Sequence, residues 1–124
     1  MMSVAARLVG LVAVLSSLSL TVPAQAHAFL DHAAPAVGSK VHGSPLEVRL
    51  WFSQDLEPAF STIRVFNEAG AQVDQRDKAV DPGDRTQLRV SLPPLPAGTY
   101  KVIWRALSND THVTEGDFVF EVAP

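Results

Sequence analysis

The chain has 124 residues, with 13 acidic against 10 basic side chains, four histidines and no cysteine. That composition excludes a disulfide scaffold and any thiolate metal centre, and without a basic run it argues against nucleic acid as a partner. Nearly half of the residues are apolar, enough for one small packed domain held by its core alone.

The first element is a leader. Arg7 supplies the positive start, Leu8 to Leu20 is apolar apart from serine and glycine, and Pro23 precedes Ala24-Gln25-Ala26, a small-residue cleavage signal. The apolar stretch is 13 residues long, too short to span a bilayer. Residues 1–26 are therefore predicted to be a secretory signal peptide, and residues 27–124 to form one domain that is exported and not membrane-embedded. Cleavage there makes His27 the first mature residue. Arg7 leaves with the leader, so 9 basic side chains face 13 acidic ones in the mature chain.

The mature chain reads as short alternating runs broken by turns. Leu46 to Phe52 alternates, with Leu46, Val48, Leu50 and Phe52 facing one way. Ser61 to Asn67 follows through Ile63 and Val65. Asn67-Glu68-Ala69-Gly70 is a turn, and Ala71 to Gln75 a short strand pairing back. Asp81-Pro82-Gly83-Asp84 is a second turn. Thr86 to Leu92, Thr99 to Leu107 and Gly116 to Val122 are strands, with a rigid proline-rich loop over residues 93–98. About seven strands in fewer than 100 residues predict an all-β fold, a Greek-key sandwich of immunoglobulin-like or cupredoxin-like type. Most aromatic side chains are expected in the core.

Four donors stand out. An N-terminal histidine offers a metal both its free amine and its imidazole Nδ1, which close a six-membered chelate ring. Asp110-Thr111-His112 adds an oxygen and a nitrogen donor two positions apart, sharing a face if extended or converging if the segment turns. Three nitrogens and one oxygen suit Cu(II) in tetragonal geometry, and the expected cofactor is one Cu(II) ion per domain held by His27, Asp110 and His112. Zinc is an alternative for the same residues. The mature chain has no methionine, hence no soft ligand for Cu(I). The peptide-amide copper motif needs histidine at the third mature position, which is Phe29. Ser108, Asp110 and His112 do not form a hydrolase triad: in a strand, residues two apart stand roughly 6.5 Å apart and point in parallel, and no nucleophile elbow accompanies them. His32 and His42 read as surface histidines, with His32 beside Asp31 at most assisting a weak second site.

These residues resemble the CopC family of periplasmic copper-binding proteins. The resemblance runs through His27-Ala-Phe-Leu30, Ala34-Pro-Ala-Val-Gly-Ser39, Leu50-Trp-Phe-Ser53, Leu95-Pro-Ala-Gly-Thr-Tyr100, Val102 to His112 and Gly116 to Val122. It implies a β-sandwich that binds Cu(II) in the periplasm, with His27 as amine and imidazole ligand, Asp110 as oxygen ligand and His112 as third nitrogen donor. An inner-membrane copper transporter is the implied protein partner. Two departures matter. The methionine-rich loop of some members is missing between Asn67 and Thr86, and Gln54 stands where many members carry glutamate. The function expected is non-enzymatic copper carriage or sequestration. The competing expectations are a copper-dependent oxidase built on the same histidine brace, and a structural sandwich domain without metal.

Overall fold

The computed structural model describes residues 28–124. The predicted leader, the cleavage site and His27 lie outside the described residues.

Among the described residues eight strands build two four-stranded sheets. In chain order they are β1 (Leu30–Ala34), β2 (Lys40–Val41), β3 (Glu47–Phe52), β4 (Thr62–Phe66), β5 (Ala79–Asp81), β6 (Asp84–Ser91), β7 (Gly98–Leu107) and β8 (Val113–Val122). One sheet has the order β1-β3-β6-β5 and the other β2-β8-β7-β4, so the chain crosses repeatedly between layers. Ladders are antiparallel except β2 on β8. The expected all-β sandwich is the observed fold.

Alternation explains the packing. A strand with one wet face sends every second side chain inward. Val48, Leu50 and Phe52 of β3, Leu88 and Val90 of β6, Val102, Trp104 and Ala106 of β7, and Phe118, Phe120 and Val122 of β8 fill the space between the sheets. Each large aliphatic side chain removed from water there contributes about 1.5–3 kcal/mol. Trp104 meets Phe52 edge-on with centroids 5.1 Å apart, and lies over Gly116, its cross-strand partner. The Tyr100 hydroxyl donates to the Pro96 carbonyl at 2.6 Å, the corner that pins the proline loop to β7 in sandwiches of this class.

Most of the aromatic side chains read as core are buried; Phe60 is exposed, carried on a short 3-10 turn (Pro58–Phe60) that the alternation does not register. Three expectations are corrected. Leu46 is exposed, because the β3 ladder opens one residue later at Glu47–Ser91. Residues 71–75 do not form a strand: a single bridge joins Phe66 to Gln72, and the buried Asp74 carboxylate takes the Val65 amide at 2.8 Å in place of a backbone carbonyl. The last strand begins at Val113 rather than Gly116, which brings its start up against His112.

Candidate metal centre

Strand β7 ends and β8 begins around a three-residue loop, 109–111. Leu107–Val113 is the last ladder pair, and beyond it the Ser108 amide donates to the His112 carbonyl at 3.0 Å. Inside that closure the Thr111 amide donates to the Ser108 carbonyl at 2.9 Å, a type I turn, and Thr111 then takes φ 72°. This is the common three-residue hairpin, with the left-handed position occupied by threonine instead of glycine. The reversal points the side chains of Asp110 and His112 at one place. Of the two local conformations open to the sequence, the turn is the one adopted.

The Asp110 carboxylate has two unlike oxygens. Oδ1 accepts a short hydrogen bond from the Ser108 hydroxyl, and the His112 amide stands 3.4 Å away. Oδ2 is buried and has no hydrogen-bond partner among the described residues. It sits 3.3 Å from His112 Nδ1, close enough for ion pairing but outside hydrogen-bond alignment. The Ser108 hydroxyl holds the Asp110 carboxyl below the usual carboxylate range, opposed by burial and assisted by the His112 side chain. Asp110 is therefore held as the anion, with one oxygen left over.

That orphaned oxygen is the observation on which a metal can be tested. Two donors on one ion, each bonded at about 2.0–2.2 Å, stand between roughly 2.8 and 4.2 Å apart. The 3.3 Å between Oδ2 and Nδ1 falls inside this window. A buried anionic oxygen beside an imidazole nitrogen fits a divalent cation that takes nitrogen and oxygen ligands. Among the described residues no third histidine, aspartate or glutamate joins them.

Two further segments border the loop. The connection from β3 to β4 lies alongside it: Asn109 donates to the Asp55 carbonyl at 3.0 Å, and Leu56 bridges Ser108. The start of the described chain is the other. Ala28 is fully buried, and its carbonyl accepts from the Thr114 hydroxyl at 2.5 Å. Phe29 exchanges two 2.9 Å hydrogen bonds with Ser53, from its amide to the Ser53 hydroxyl and from the Ser53 amide to its carbonyl. Ser108 stood out in the sequence only as a member of a rejected triad, and Thr114 and Ser53 not as site residues at all, since isolated serines and threonines carry little signal until the fold gives them partners.

The remaining candidates behave differently. Ser108 gives its hydroxyl to Asp110 itself, so no histidine intervenes as a triad would require. His32 is not simply solvated: its Nδ1 is 2.7 Å from Asp31 Oδ2 and its ring stacks on Trp51 at 4.3 Å. His42 is exposed in a loop.

Comparison with known proteins adds a family model, the CopC domain, which matches residues 30–123. The copper resistance protein C of Pseudomonas syringae pv. tomato is 38% identical over 105 residues, 80% of this chain and 82% of that protein. The crystal structure of CopC from Methylosinus trichosporium superposes with a TM-score of 0.71 at 34% identity, covering 79% of this chain and 95% of that one. PcoC, a copper resistance protein from Escherichia coli, gives a TM-score of 0.68 at 30% identity, covering 76% and 98%.

Proposed function

This chain belongs to the CopC family of copper resistance proteins, and on that footing we propose that it is a Cu(II)-binding protein of the periplasm that carries or sequesters copper without catalysing a reaction. The ion would be held by the amine and imidazole of His27, the Oδ2 oxygen of Asp110 and the imidazole of His112. The observation that carries the reading is the buried, unpartnered Asp110 Oδ2 lying 3.3 Å from His112 Nδ1.

His27 enters by covalent geometry. It precedes Ala28, and consecutive Cα atoms across a trans peptide are about 3.8 Å apart. Ala28 is tied to Thr114, which is itself two residues from His112. Ala28, the first described residue, is thereby anchored at the same end of the sandwich as Asp110, which supports a shared site. Export exposes the amine, and the leader read over residues 1–26 is what would bring the domain to the periplasm. Copper itself is the cargo; an inner-membrane copper transporter is the partner that would receive it.

The donor set favours Cu(II). Nitrogen and oxygen ligands bind it more tightly than other divalent first-row ions, and the mature chain offers neither thiolate nor thioether to draw it to Cu(I). Copper titration of the processed protein against a competing chelator tests the reading. One equivalent of Cu(II) is expected to bind, with affinity reduced at least about 100-fold in His112→Ala, since an essential ligand costs no less than the 10–100-fold typical of its supporting residues. Equal affinity in parent and His112→Ala would remove the basis of the assignment.

A further inference from the structure

We infer that Ser108 is the positioning residue of this centre: its buried hydroxyl occupies Asp110 Oδ1 and so leaves Oδ2 as the single oxygen presented to the metal. The inference rests on the copper site proposed above. Ser108 is completely buried, and its hydroxyl touches two acceptors, Asp110 Oδ1 and, at 3.3 Å, the His112 carbonyl. A hydroxyl has one proton to give, and the nearer, charged acceptor takes it. The effect is selective, because the two oxygens of an unrestrained carboxylate are interchangeable by rotation and either or both could approach an ion. Here the hydrogen bond locks the rotation, with one oxygen tied back to the β7 end and the other turned toward His112 Nδ1.

The backbone of Ser108 does something else. Its amide and carbonyl close the hairpin through His112 and Thr111. Those bonds persist in Ser108→Ala, which loses only the hydroxyl, so the two roles can be separated. Supporting residues of this kind typically govern metal affinity by 10–100-fold.

The test is a double-mutant cycle on Cu(II) affinity, read by competition titration with the paramagnetic resonance spectrum of the loaded protein. Ser108→Ala in the parent is expected to bind Cu(II) about 10–100-fold more weakly and to show an altered equatorial signature. In an Asp110→Ala background the same substitution is expected to change neither, because the carboxylate it positions is gone. Unchanged affinity in Ser108→Ala, or equal weakening in both backgrounds, would overturn the inference and leave the site reading intact. If Asp110→Ala alone binds as tightly as the parent, the site reading fails instead.

Discussion

Asp110 and Thr111 show how single residues shape the loop. Protons compete with a metal for its donors, so copper affinity must fall on acidification. The sign at Asp110 is fixed by its environment: its carboxyl is held below the ordinary range, chiefly by the Ser108 hydroxyl, so proton competition at this donor is displaced to lower pH. Asp110→Asn removes the charged oxygen donor, so it should weaken Cu(II) binding and move the acid loss of copper to higher pH, because a weaker site yields to proton competition sooner. Titrations between about pH 4 and 8 check this, a range that spans ordinary carboxylate and imidazole ionisation. Thr111 holds φ 72°, a conformation that costs a non-glycine residue about 1–2 kcal/mol. Thr111→Gly is expected to raise the stability of the copper-free protein by about 1 kcal/mol, net of the added freedom of the unfolded chain. Denaturant unfolding measures it, and a fall in midpoint would contradict the strain.

At the scale of elements, the β7–β8 hairpin carries Asp110 and His112 of the proposed site, and its rigidity depends on close packing. A Cβ at Gly116 would come within 2.5 Å of the Trp104 ring. Gly116→Ala should therefore overpack the hairpin and cost about 1–3 kcal/mol, seen as a lower unfolding midpoint with the tryptophan emission altered. Tyr100→Phe removes the bond to the Pro96 carbonyl and is expected to cost about 1 kcal/mol while leaving copper affinity unchanged, since that corner lies away from the loop. The β5–β6 hairpin gives stability its pH dependence. The Thr86 hydroxyl, then Gln87 and the Thr86 amide, hold the Asp84 carboxyl below its ordinary value, and Ser91 does the same for Asp77. Groups with depressed folded values stabilise the protein above the unfolded carboxylate range, near pH 4, and that stability is lost as pH falls through the folded values. Asp84→Ala should flatten the acid limb of the stability curve.

Across the whole molecule, alternation was the legible signal, and it was legible where strands have one wet face. β3, β6 and β7 read correctly from Leu50, Leu88 and Val102 and their neighbours. β1 did not, because as an edge strand it buries only Ala33 fully, and β2 is two residues long. The Asp74 carboxylate that replaces a ladder bond near β4 has no periodicity to betray it. The site was half legible. Asp110 and His112 announce themselves by donor type and spacing, whereas the choice between an extended segment and a hairpin that converges them rests on a local backbone bond, Ser108 to His112, which donor type does not signal. Ligand binding to the folded state alone adds stability by mass action, about 2.7 kcal/mol at a free ion concentration 100 times the dissociation constant. For a domain of this size that raises the thermal midpoint by roughly 10 °C or more, a shift that should vanish in His112→Ala.

The most direct measurement compares Cu(II) affinity of a chain beginning at His27 with that of the same chain carrying one alanine ahead of it. The added residue converts the primary amine into a peptide nitrogen and leaves every side chain in place. A loss of at least about 100-fold is predicted, since a ligand and its chelate ring are removed together. Equal affinity in the two chains would contradict a site built on the amine and imidazole of His27.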